Sequence, residues 1–187
     1  MTTDELLSAE ERAELLRCAR RTLEVFLETH SLLALDKVEP GLLRPGGAFV
    51  TLHRGRELRG CIGTFEARDP IVETVQRMAI SAATGDPRFP RVQPDELDAL
   101  HIEISVLSPL RQAAPEEVEV GTHGVYITRG PQRGVLLPQV ASENNWDRET
   151  FLDHTCLKAG LPVGAWREPG TVIEVFTAQV FGEPPRS

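Results

Sequence analysis

The chain is poor in the residues that would tie it to a metal, an oxidising compartment or a nucleic acid. It has three cysteines, Cys18, Cys61 and Cys156. Their number is odd, they lie far apart, and no C-x-x-C pair occurs, so neither a disulfide framework nor a thiolate zinc site can be read from the spacing. Three reduced thiols in a cytoplasmic protein are the expectation. His30, His53, His101, His123 and His154 stand at no helical or hairpin ligand spacing, so no metal is expected. One tyrosine and 5% aromatic residues leave little surface for stacking bases, and a formal charge of −8 opposes a phosphate backbone. Single-stranded nucleic-acid recognition is therefore the least supported function class. The N-terminus is acidic at Asp4, Glu5, Glu10 and Glu11 and reads as no secretory signal. No apolar run approaches a membrane span.

What is present is enough for one domain: 187 residues can bury a real core without staples. Ser8 with Glu11 forms a capping-box pattern, and Leu15, Leu16, Ala19, Leu23, Phe26 and Leu27 recur at helical spacing, predicting a helix over 8–29 with Cys18 as a packing residue. Ala48–Leu52 reads as a strand, and His53-Arg54-Gly55-Arg56 as the hairpin turn into a second strand. Asp69-Pro70 pairs an N-cap with a proline at the first helical position, starting a helix that Gly85 ends. Asp86-Pro87-Arg88-Phe89-Pro90 is an ordered loop anchored by Phe89. Leu100–Val106 alternates cleanly, with His101, Glu103 and Ser105 on its polar face. Val125–Thr128 and Gly134–Leu137 form another strand pair joined at Gly130-Pro131. Pro138 opens a short helix, Asp147 caps one reaching Lys158, and Thr171–Phe181 closes the chain as one strand. Hairpins interspersed with helices predict an α+β fold, a compact domain with a mixed or antiparallel sheet and flanking helices.

The chemistry-bearing stretch is Leu58-Arg59-Gly60-Cys61-Ile62-Gly63-Thr64. Strand alternation sets Arg59 and Cys61 on one face, where a guanidinium would favour a thiolate, and Gly60 and Gly63 leave room for a ligand. Glu103 shares the parity and is expected to pair with Arg59. Cys61, Arg59 and Glu103 are thus candidate catalytic residues, with His101 or His123 as proton carriers. Gly60, Gly63, Asp86, Arg88, His123, Glu143 and Trp146 are candidate ligand-binding residues, the last two offering an acid and an aromatic wall at helical i,i+3 spacing. Each has a plainer reading. Cys61 fits as a small packing side chain, His123 as a turn residue, Asp86 and Arg88 as backbone caps, and Trp146 with Glu143 as core and surface. The chain shows no catalytic triad, nucleotide loop or cofactor motif, which leaves an enzyme and a non-catalytic adaptor or peptide-binding module both open.

With these blocks placed, the chain resembles the A component of the AmmeMemoRadiSam system, the Ammecr-type domain family. The resemblance rests on Gly47–Leu52, Leu58–Thr64, Asp86–Phe89, Glu103–Pro109, Leu136–Ala141 and Cys156–Leu161, in that order, and covers nearly the whole chain. It implies a single domain over 1–187 with two lobes, the larger holding both chain ends and the smaller built around the middle strands. It also implies an association with a Memo-like protein and a radical S-adenosylmethionine enzyme. It implies no particular reaction, cofactor or substrate, and leaves an unknown small molecule or peptide as the ligand.

Overall fold

The computed structural model describes residues 6–65 and 67–184. Four helices, α1 (Ala9–Thr29), α2 (Ile71–Thr84), α3 (Pro138–Glu143) and α4 (Arg148–Lys158), accompany eight strands. These are β1 (Gly47–Arg54), β2 (Glu57–Thr64), β3 (Leu100–Leu107), β4 (Arg111–Gln112), β5 (Gly124–Arg129), β6 (Gln132–Leu136), β7 (Val172–Phe176) and β8 (Ala178–Gly182). They form two four-stranded sheets, ordered β2-β1-β3-β8 and β4-β7-β5-β6. The fold is α+β. The described residues divide into two compact units, one running to Leu107 and resuming at Gln179, the other Ser108–Ala178.

In the first unit, the even-numbered residues Ala48, Val50 and Leu52 of β1 and Ile102, Ile104 and Val106 of β3 are buried with Leu15, Ala19 and Leu23 of α1 and Val75 and Ala79 of α2. Burial of each large aliphatic side chain is worth about 1.5–3 kcal/mol, and this shared core fixes which sheet face is left to polar residues. The α1 start follows the capping box: Ser8 Oγ accepts the Glu11 N–H at 3.2 Å and Glu11 Oε2 accepts the Ser8 N–H at 2.7 Å. At α2 the cap moves by one residue. Pro70, not Asp69, is the N-cap, and Asp69 instead pairs with Arg77 at 2.6 Å.

In the second unit, Val125, Ile127, Ile173 and Val175 are buried with Phe151, Leu152 and Cys156 of α4. Asp147 caps α4 by accepting the Thr150 N–H at 2.8 Å. The predicted final strand is two strands in two different sheets. It breaks at Thr177, whose N–H donates to Ser108 Oγ at 2.9 Å while its carbonyl accepts the Ser108 N–H at 2.9 Å. Alternation alone cannot show such a change of sheet, because the side-chain pattern continues through it.

Candidate functional site

β2 is an edge strand, paired on one side to β1. The register matches Thr51 to Cys61 and Leu52 to Gly60, then slips, matching His53 to Leu58. Arg59 is therefore the extra residue of a β-bulge. Leu58 and Arg59 thus stand together opposite His53. The Arg59 guanidinium donates from Nε and Nη2 to the Glu96 carboxylate, both at 3.0 Å, and to the carbonyls of Pro90 at 2.8 Å and Arg91 at 3.4 Å. Its partner is Glu96, not Glu103. Arg59 pins the segment after α2 to the strand; its hydrogen bond, with help from the Gln93 N–H and against the pull of burial, holds the Glu96 carboxyl below its usual range.

Gly60 faces α2. A Cβ there would lie 2.2 Å from the Ala82 carbonyl oxygen, so the close approach of strand and helix requires glycine. Gly63 points to the other face, where a Cβ would meet the Phe49 ring at 2.2 Å.

The outer edge of β2 at Cys61 is closed by side chains. The Cys61 N–H donates to Asp86 Oδ2 at 2.9 Å, and Arg88 Nη2 donates to the Cys61 carbonyl at 3.3 Å. Arg88 in turn donates from Nε to Asp86 Oδ1 at 2.9 Å and from Nη2 to Oδ2 at 2.7 Å. Together the two side chains offer Cys61 one acceptor and one donor, as a neighbouring strand would. The Asp86 side chain is 1% exposed and that of Arg88 55%. Hydrogen bonds from Arg88, then from the Cys61 and Arg88 backbone, hold the Asp86 carboxyl well below the usual carboxylate range against the opposing effect of burial. The same pair raises the Arg88 pKa against the opposing effect of burial. Asp86 and Arg88 are backbone clamps, and Asp86, rather than Phe89, anchors the loop. Phe89 is half-buried, with the Arg88 guanidinium over its ring at 5.4 Å.

On the polar face, Cys61, Thr51 and Glu103 form one cross-strand row through β2, β1 and β3. Thr51 Oγ1 donates to Cys61 Sγ at 3.3 Å. Glu103 has no hydrogen-bond or ion-pair partner among the described residues. One row along, Phe49 lies between Gly63 and Ser105; on the other side His53 lies opposite His101, with ring centroids 6.5 Å apart. His101 Nε2 contacts the Glu183 carbonyl at 2.6 Å. A carbonyl only accepts, so Nε2 carries the proton.

Thr51 and Glu96 were not among the expected residues. Gly60 inside a strand is the one sequence feature that points to the bulge, and the bulge is what brings Thr51 opposite Cys61.

The remaining candidates lie in the second unit with local partners. His123 Nδ1 accepts the Glu119 N–H at 3.1 Å, the turn role. Glu143 is the last residue of α3 and Asn145 is left-handed at φ 54. The Trp146 N–H then closes onto the Ala141 carbonyl at 2.9 Å, so Glu143 and Trp146 do not share a continuous helix. Trp146 stacks on His154 with centroids 3.9 Å apart. Cys18 and Cys156 are buried free thiols whose pKa values burial pushes up. Among the described residues no group of three or more His, Cys, Asp or Glu is placed to hold a metal ion, and no helix is long and apolar enough to cross a membrane.

These features define an α+β protein of two units with a glycine-flanked cysteine on a clamped edge strand. The AMMECR1 family model matches residues 16–181. The chain is 44% identical over 185 residues to a protein of Methanothermobacter thermautotrophicus, covering 95% of this chain and 96% of that protein. It is also 44% identical over 189 residues to protein MK0488 of Methanopyrus kandleri, covering 96% of this chain and 91% of the relative. The crystal structure of the uncharacterised protein PH0010 from Pyrococcus horikoshii superposes with a TM-score of 0.90 at 39% identity, covering 95% of this chain and 93% of that one. The chain belongs to the AMMECR1 family.

Proposed function

We propose that the polar face of the β2-β1-β3 sheet is a binding site for a small molecule or peptide, with Cys61 as the thiol that contacts it and Glu103 as its acid–base partner across Thr51. The supporting observation is the row itself: a half-buried thiol hydrogen-bonded to Thr51, in register with a carboxylate that no other described residue engages. The Asp86–Arg88 clamp fixes the Cys61 backbone, so the thiol is held on a rigid element, as a working nucleophile or covalent ligand requires. Gly63 admits the Phe49 ring, which forms an apolar wall one row from the thiol. On this reading the protein works in the cytoplasm in a pathway shared with a Memo-like protein and a radical S-adenosylmethionine enzyme, as the family resemblance implies.

The adaptor reading draws on a different observation: Arg59, Asp86 and Arg88 all spend their hydrogen bonds on shaping the strand. Native mass spectrometry of freshly purified protein incubated with cell extract separates the two. A small mass retained by the natural chain and absent from Cys61→Ser supports the site. Retention of a protein partner alone, unaffected by Cys61→Ser, supports the adaptor.

A further inference from the structure

We propose that a groove along α1, in the same unit but built from other residues, binds a small organic anion with an apolar body. Glu14, Arg17, Cys18 and Arg21 lie at i, i+3, i+4 and i+7 on α1 and so form one face of the helix. Together with residues 33–38 they line a groove of about 380 Å³, within the range of roughly 300–1,000 Å³ that small-molecule sites occupy.

The wall opposite the helix is held at both ends. The Leu33 carbonyl accepts from Gln76 Nε2 at 3.0 Å, and Gln76 is buried and also donates to Thr22 Oγ1 at 3.3 Å. At the far end the Glu39 N–H donates to Glu14 Oε1 at 3.4 Å. Leu35 and Val38 pack against the core between these ties. The groove is thus a formed surface with an apolar side.

Its charges point to an anion. Arg17, Arg21 and Lys37 line the groove and have no hydrogen-bond or ion-pair partner among the described residues. The neighbouring Arg20, by contrast, is paired with Glu183. Two acids also line the groove, Glu14, which accepts the Glu39 N–H, and Asp36, so the three cations outnumber them by one. Arg17 and Arg21, one turn apart, can direct two guanidinium forks at one phosphate or carboxylate. Burial keeps the Cys18 thiol in its neutral form, so the floor adds no competing negative charge.

The test uses the full chain titrated with octyl phosphate, octylamine and inorganic phosphate, followed by amide NMR and calorimetry. Octyl phosphate is expected to shift amides over 14–21 and 33–38, and to bind about tenfold or more tightly than either octylamine or inorganic phosphate. The Arg17→Glu/Arg21→Glu double variant should weaken it by about tenfold or more, and the control Arg56→Glu/Arg91→Glu should leave it unchanged. Ala34→Trp, at an exposed lining position, should block binding without altering charge. Shifts confined to other residues, equal binding of octylamine, or unchanged affinity in both groove variants would overturn the proposal. So would binding of phosphatidylglycerol vesicles through Arg17 and Arg21 without binding of monomeric octyl phosphate, which would assign these cations to a membrane surface.

Discussion

Asp86 Oδ2 accepts the backbone N–H of Cys61 at 2.9 Å, so a buried carboxylate 25 residues away fixes the peptide that carries the thiol. This places Asp86 in a positioning role and makes the clamp, rather than the Arg59 guanidinium, the electrostatic neighbour of Cys61. The consequences are measurable.

Asp86→Ala leaves the Cys61 N–H without its acceptor and removes the partner of Arg88. A loss of about 1–3 kcal/mol in unfolding free energy is expected by urea denaturation, the scale of leaving a buried backbone donor unsatisfied. Arg88→Ala strands the Asp86 carboxylate, whose side chain is 1% exposed, without its cation and should cost about 3 kcal/mol or more. A cost well below that of Asp86→Ala would refute the role of Arg88 as the counterion of a buried carboxylate.

The carboxyls of Asp86 and Glu96 have folded pKa values below their ordinary values of 3.8 and 4.5. A depressed carboxylate stabilises the fold fully above its unfolded pKa, and that contribution is lost as pH falls through the folded one. Stability should therefore drop from about pH 5 downwards. Asp86→Asn should flatten the drop; an unchanged acid limb in that variant would show that Asp86 does not contribute to it.

Gly60→Ala drives a Cβ against the Ala82 carbonyl, where both partners are backbone. A cost of about 2–3 kcal/mol is expected, in the range of overpacking a tight site. Gly130→Ala, where only the positive φ of 58° is strained and nothing lies within 4 Å, should cost about 1 kcal/mol. Thermal unfolding of the two variants checks the order.

Cys61 should be the first thiol alkylated by iodoacetamide in the folded protein, because Cys18 and Cys156 are buried with raised pKa values. Arg88→Ala should slow Cys61 labelling near neutral pH more than Arg59→Ala does, since Arg88 contacts the Cys61 peptide and Arg59 is committed to Glu96. Peptide mapping that shows the reverse order would restore Arg59 as the relevant cation.

Some of this was legible in the residues alone. The Ser8–Glu11 box, the Asp147 cap, the turn at Gly130-Pro131 and the alternation of Leu100–Val106 each depend on a few neighbours, so local chemistry suffices to place the elements. The seven residues around Cys61 also marked the candidate strand, but the room expected for a ligand at Gly60 and Gly63 is taken by the Ala82 carbonyl and the Phe49 ring. The partners of Arg59 and Asp86 were not legible. A bulge of one residue at Arg59 set which residues of β2 stand opposite Thr51 and His53, and parity cannot register such a slip. Glu96 and Glu103 have the same charge and similar distance along the chain from Arg59. Only the path taken between α2 and β3, closed by Asp86 on one side and the Pro90 and Arg91 carbonyls on the other, decided which carboxylate the guanidinium meets.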